Sequence, residues 1–421
     1  MTYDEAVAFW FARINYELRS ATPTDLKLER MRAFLRALGD PHDRLRIVHI
    51  TGTKGKGSTA AMLGSILRAA GYRVGLFTSP HLDCVEERIQ VDGTPISRGE
   101  LAALMGQIAP AVLALETESG AGPTFFEVST ALGFLHFVQR RVDIAIVEVG
   151  LGGRFDSTNV CRPLASIITT VGLDHMAQLG ETVEEIAFQK AGILKRGVPV
   201  ICGVPAGGAR SVIDAVAREV KSEVLDPAAS IPCQPGLLGR HQVANAKLAV
   251  GTVEVLKSRG FTIPPSAIVR GLESVQWPGR IEVVSREPLV ILDCAHNEPS
   301  ARALAETLAE SLPVTGRRSL VFAVSADKDH PSMLRILAPC FDRFYLTRFG
   351  NNPRSVPPEQ LAAVLAPLVP GKEIRTFADA GAAWEAARHS TVSDDLLCVT
   401  GSVFLAAELQ AAVRRSAEPP V

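Results

Sequence analysis

The chain has almost no net charge: 44 Lys and Arg stand against 45 Asp and Glu, a formal charge of -1 over 421 residues. A nucleic-acid or membrane-surface protein carries an excess of basic charge on one face, so neither partner is expected. Paired cysteines are also lacking. The seven, Cys84, Cys161, Cys202, Cys233, Cys294, Cys340 and Cys398, stand singly and are odd in number. That spacing offers no zinc-ligand or redox pair and predicts reduced thiols in the cytoplasm. Asp4, Glu5, Arg13 and Glu17 interrupt what a secretory signal would need as an apolar run, and no stretch is expected to reach transmembrane length.

What remains is a chain 47% hydrophobic and 21% charged, rich enough in apolar residues for compact folding and long enough for two domains. Thr2 and Glu5 form a capping box ahead of Ala6, Phe9, Trp10 and Ile14, which predicts an opening amphipathic helix, and a second is expected around Asp25 to Leu38. Apolar strands near Leu45–Ile50, Arg73–Thr78, Asp143–Val149, Ser166–Val171 and Val198–Cys202 alternate with helical patterns such as Arg98–Leu115 and Val183–Leu194. This alternation predicts an α/β fold with a mostly parallel sheet. Gly239–Arg259 reads as another helix. After Pro264-Pro265 and Trp277-Pro278-Gly279 a new strand series begins at Leu289–Asp293, Ser319–Val324, Arg343–Thr347, Glu373–Thr376 and Leu396–Thr400. The expected organisation is a larger N-terminal P-loop domain, residues 1–280, and a smaller C-terminal Rossmann-like doubly wound domain, residues 281–421.

Ile47 to Thr59 runs from a β-branched strand through Gly52-Thr53-Lys54-Gly55-Lys56-Gly57-Ser58-Thr59 into a helix. Glycines let backbone N–H groups turn toward phosphate oxygens, and the helix N-terminus adds positive potential. Lys56 and Ser58 supply the lysine and hydroxyl that complete a triphosphate cradle. The spacing departs from the common motif, with two rather than four residues between Gly52 and Gly55-Lys56, but the strand-turn-helix context is the required one.

Three further residues carry chemistry. Glu148 ends an apolar strand at the sheet edge where open α/β folds bind ligands, which makes it a magnesium-ligand candidate. Gly150, Gly152 and Gly153 follow it, but Phe155 occupies the place of the third glycine of a dinucleotide fingerprint, so that reading is rejected. His175 closes Thr169-Thr170-Val171-Gly172-Leu173-Asp174-His175 and could ligate a metal or serve a structural hydrogen bond. Lys190 lies among apolar and small neighbours in Ile186–Ile193, an unusual setting for a cation.

The ordered set Gly52–Thr59, Thr78-Ser-Pro-His81, Glu87-Arg-Ile89, Gly150–Asp156, Asp174-His175 with Leu179-Gly180, Lys190-Ala-Gly, Trp277-Pro-Gly-Arg280 and Asp293-Cys-Ala-His-Asn297 resembles folylpolyglutamate synthase/dihydrofolate synthase, a branch of the Mur ligase superfamily. The resemblance covers nearly the whole chain. It implies that Gly52, Thr53, Lys54, Gly55, Lys56, Gly57, Ser58 and Thr59 hold ATP phosphates, joined by Asn245, Arg280, Asp293 and His296 from the later sequence, with the nucleotide between two domains. It implies Mg2+ at Ser58, Glu148 and His175, with Lys190 carbamylated as a further ligand, and catalytic roles for Lys56, Lys190, His175 and Arg280. Gln189, Cys294 and Glu298 depart from the family's usual Glu, Gly and Pro, and Asp327-Lys328-Asp329 also resembles a family motif.

The implied reaction is ATP-dependent addition of L-glutamate to dihydropteroate or a reduced folate through an acyl phosphate, by a monomer. Thr124, Phe126, Arg154 and Asp156 are the expected pterin contacts. The nearest rival is a peptidoglycan-building Mur ligase, although only about forty-five residues precede the phosphate-loop strand, too few for its uridine-nucleotide domain. A phosphate-loop switch protein would leave Lys190, Arg280 and the whole second domain unexplained, and a nucleotide-binding module without catalysis is disfavoured because every expected phosphate and metal position is filled.

Overall fold

The computed structural model describes residues 1–16, 28–350 and 354–416. They form two compact units: residues 1–235 with 243–275, and residues 236–242 with 276–421. The division after Val275 precedes the expected boundary at Arg280. The Gly279-Arg280-Ile281 turn is hydrogen-bonded to Glu282 and Asp293, which ties it to the second unit.

In the first unit, eight strands make one sheet: β1 Ile47–Thr51, β2 Val74–Phe77, β3 Ile89–Val91, β4 Thr94–Pro95, β5 Ile144–Glu148, β6 Ala165–Ile168, β7 Val200–Cys202 and β8 Val224–Leu225. Their spatial order is β4-β3-β2-β5-β1-β6-β7-β8. All pairings from β2 to β8 are parallel, and β3 and β4 add an antiparallel edge. β1 and β5 are buried along their whole length because both faces are covered, so they read as continuous apolar runs rather than alternating ones.

The predicted capping box at Thr2 and Glu5 is present, and the helix Tyr3–Phe11 buries Ala6 and Trp10. Trp10 stacks on Phe125 and its Nε1 donates to the Phe125 carbonyl at 3.0 Å, so the N-terminal helix is fastened to the start of the helix Phe125–Gln139. The second predicted helix is seen as Leu28–Ala37, and its expected start at Asp25 lies outside the described residues.

One expectation needs correction. The helix Arg98–Ser119 is long and apolar enough to cross a membrane by length and composition. Its hydropathy is spread over Ala, Gly, Leu and Met rather than gathered in one conspicuous run, which hid it. Leu101, Leu104, Met105, Ile108 and Val112 join the core of the first unit.

The second unit has β9 Glu282–Arg286, β10 Leu289–Leu292, β11 Arg318–Phe322, β12 Arg343–Leu346, β13 Glu373–Thr376 and β14 Leu396–Thr400, in the order β13-β12-β11-β14-β10-β9. Only the edge strand β9 pairs antiparallel. Asp329 of the Asp327-Lys328-Asp329 stretch caps the helix His330–Leu337 by accepting from the Ser332 amide, a structural role.

Candidate functional site

β1 delivers the chain to Gly52 at the carboxyl edge of the first sheet. A Cβ on Gly52 would fall 1.8 Å from Thr169 Oγ1, and one on Gly55, whose φ is +84°, 2.3 Å from Asn245 Oδ1. Glycine is needed at both positions because neighbouring side chains press against the loop backbone. β6 ends at Ile168, short of the expected Val171, and the residues that leave it bind the loop: Thr169 Oγ1 donates to the Lys54 carbonyl at 2.6 Å, and the Lys54 amide donates to Thr170 Oγ1 at 2.9 Å. Sequence reasoning missed this latch, although two adjacent hydroxyls at a strand end were its visible signal.

Gly55 then caps the helix Lys56–Ala69 without a side-chain cap, which leaves the first-turn N–H groups of Lys56, Gly57 and Ser58 directed at the loop, while the Thr59 amide donates to the Gly55 carbonyl at 2.9 Å. Lys56 Nζ donates to the Gly52 carbonyl at 3.1 Å and lies 3.8 Å from Glu148 Oε1. Glu148 is buried at the end of β5, and its Oε2 faces the Ser79 amide at 3.4 Å. Ser79 stands in the motif Thr78–His81, but no role was assigned to it. Thr53 Oγ1 exchanges hydrogen bonds with Gly172, and Lys54 Nζ pairs with Asp174 Oδ2 at 2.9 Å.

A cavity opens above this loop. Gly52, Thr53, Lys56, Gly150–Gly152, Asp174, His175 and Lys190 line it, so the structure brings together three of the four predicted catalytic residues. His175 holds the left-handed conformation, φ +51°, with its ring half exposed. Lys190 is only 3% exposed, and its pKa is pushed down to about 7, first by burial and then by the nearby Lys56 cation. Ser58 and Glu148 are buried and do not line the cavity, Ser58 standing in the first helical turn. Thr59 Oγ1 is buried there without a partner.

The expected pterin contacts divide. Phe126 is half buried, and a Cβ on Gly150 would come within 2.5 Å of its Cζ, so the tip of its ring abuts a residue of the cavity wall. Arg154 stacks its guanidinium 3.9 Å from the Phe188 ring centroid. The side chains of Thr124 and Asp156 have structural partners. Thr124 caps its helix by accepting from the Glu127 amide, and the buried Asp156 carboxylate accepts from the amides of Leu151 and Thr158 and from Thr158 Oγ1. His49 Nε2 lies 2.8 Å from the same Thr158 hydroxyl; burial pushes this imidazole down to about 3, so it stays neutral.

In the second unit, Arg280 Nη1 reaches the Gly279 carbonyl at 3.3 Å. Asp293 is buried at the end of β10, and His296 Nδ1 lies 2.9 Å from the Cys294 carbonyl. Asn297 caps the following helix Glu298–Ser311.

The family descriptions "Mur ligase middle domain" and "Mur ligase, glutamate ligase domain" match residues 50–201 and 279–403. The dihydrofolate synthase/folylpolyglutamate synthase of Bacillus subtilis is 38% identical over 80% of this chain and 82% of its own length. The folylpolyglutamate synthase of Lacticaseibacillus casei is 35% identical over 97% and 98%. Among solved structures, the Mycobacterium tuberculosis folylpolyglutamate synthase complexed with ADP superposes with a TM-score of 0.88 at 30% identity over 99% of both chains. E. coli FolC in complex with DHPP and ADP gives 0.84 at 29% over 99% of both. Relatives that match over almost the full length of both chains, with both family domains matched in order, leave one assignment: the chain belongs to the dihydrofolate synthase/folylpolyglutamate synthase family of Mur-type ligases.

Proposed function

We infer that this chain is an ATP-dependent ligase that joins L-glutamate to dihydropteroate, a reduced folate or both, releasing ADP and phosphate. The observation that carries the reading is the single cavity in which the phosphate-loop lysine Lys56 meets His175 and the desolvated Lys190. A substrate carboxylate oxygen attacks the γ-phosphorus, and the bond to the ADP oxygen breaks. The glutamate amine then attacks the acyl carbon, loses a proton, and phosphate leaves. Both first partners are anions, so Lys56 serves to neutralise charge in the transition state, and the family resemblance assigns Arg280 a role toward ATP phosphate.

Magnesium fits the donors present. Glu148 and Ser58 offer hard oxygens at the head of the phosphate loop, and the unpartnered Thr59 hydroxyl lies in the same turn. When bound, the ion supplies further neutralisation of the phosphate oxygens. A lysine with its pKa near 7 is substantially neutral at physiological pH, and a neutral amine can add to CO2 with loss of one proton, giving an anionic carbamate. This supports carbamylation of Lys190 and its role as a magnesium ligand. Thr53, Lys54 and the loop amides belong to the phosphate site, Asn245 and His296 to the nucleotide, and Phe126 to the pterin. The reading includes a cytoplasmic monomer.

The test is ADP release with Mg2+, L-glutamate and, in separate reactions, dihydropteroate, tetrahydrofolate and a uridine-linked peptidoglycan precursor. Stimulation by at least one pterin is expected. Stimulation by the precursor alone would replace this reading with that of a cell-wall ligase.

A further inference from the structure

Ile281, next to Arg280, sits at φ +49°. Among the described non-glycine residues with positive φ it is the one β-branched side chain, and for such a residue the left-handed region is a true outlier that persists only where surroundings impose it. The imposing group is identifiable. Asp293 Oδ1 accepts from the Ile281 amide at 3.0 Å, while Oδ2 accepts from the Ala295 amide at 2.7 Å and from Thr400 Oγ1 at 3.0 Å. The carboxylate is buried and takes a donor from three separate segments: the turn before β9, the loop after β10 and the end of β14. On the far side of the turn, the Gly279 amide donates to Glu282 Oε2 at 2.9 Å, and Glu282 pairs with Arg414.

We propose that Asp293 is a positioning residue that acts through Arg280: by capturing the Ile281 amide it holds a strained turn whose shape aims the Arg280 guanidinium. This rests on the proposed role of Arg280 toward ATP phosphate, and it gives Asp293 a task different from direct nucleotide contact. An Asn at 293 keeps one acceptor oxygen but turns an NH2 group toward one of the donors, so the turn loses its clamp.

The test is a double-mutant cycle on kcat/KM for ATP. Asp293→Asn is expected to lose about tenfold or more, and Arg280→Ala combined with Asp293→Asn to be no worse than Arg280→Ala alone, because both remove one function. Losses that multiply would overturn the proposal, since Asp293 would then act independently. A second readout does not depend on activity. Trp277 is half buried in the same segment, whereas Trp10 and Trp384 are fully buried, so acrylamide quenching of tryptophan fluorescence reports the turn. Asp293→Asn should raise quenching, and unchanged quenching would contradict the clamp. If Arg280→Ala alone keeps full turnover, the phosphate role of Arg280 fails while the quenching result still judges the turn. Should Asp293→Asn not fold, Ile281→Gly is added, since glycine takes the left-handed conformation without help. The double variant is expected to be soluble and within about threefold of Ile281→Gly alone in kcat/KM; a double variant that also fails to fold would overturn the proposal.

Discussion

At the residue scale, Lys190 concentrates the chemistry. Its folded pKa of about 7 lies below its ordinary value of 10.5, so between those values the unfolded chain carries a proton that the folded chain has released. Stability from this group therefore rises with pH across that window, and the penalty of the buried charge is largest below about pH 7. Lys190→Met should raise Tm most at pH 6 and progressively less toward pH 10; a pH-independent difference would refute the desolvated lysine. Lys190→Ala should cut turnover by about a hundredfold or more, with partial rescue by added short carboxylic acids that stand in for the carbamate. Full activity in that variant would remove Lys190 from the mechanism. Gly52→Ala drives a methyl into Thr169 Oγ1, 1.8 Å away, and breaks the latch that shapes the loop. Its ADP affinity, measured by calorimetry, should fall about tenfold or more; wild-type affinity would show that the latch is dispensable.

At the scale of elements, the N-terminal helix is held to its neighbour by Trp10 and Phe11, which both pack on Phe125, and by the indole hydrogen bond. Trp10→Phe keeps a ring against Phe125 but removes the indole donor, while Ser129 Oγ still donates to the Phe125 carbonyl at 2.8 Å, so the cost is that of one lost hydrogen bond, about 1 kcal/mol and a Tm lower by about 2–4 °C. An unchanged melting curve would show that this bond adds nothing. The capping box and the parallel strands were legible because each depends on residues close in sequence: Thr2 with Glu5, or the apolar run Ile144–Glu148. Element ends were less so. β6 stops at Ile168 because Thr169 and Thr170 find better partners in the phosphate loop, a contact across more than a hundred residues that periodicity does not reveal. The helix that begins at Arg98 was legible, but its membrane-length apolar reach was not, and what settles its placement is the core it packs against.

For the whole molecule, the charge balance, the two parallel sheets and the family likeness pointed in one direction from the start. Lys56, Glu148 and Lys190 could be singled out from local context alone. Asn245, Arg280, Asp293 and His296 needed the resemblance, because an isolated Asn on a helix or Asp at a strand end has many ordinary uses. His49 gave no sign: a histidine inside an apolar strand only acquires meaning when Thr158 and Asp156 are seen beside it. In the proposed reaction a phosphoryl group passes to the pterin substrate's carboxylate before glutamate enters. Dihydropteroate or tetrahydrofolate labelled with heavy oxygen in that carboxylate, turned over with ATP, Mg2+ and L-glutamate, tests this directly by mass spectrometry of the released phosphate. One heavy oxygen per phosphate is the predicted result; phosphate free of label alongside a glutamylated product would contradict the acyl-phosphate route.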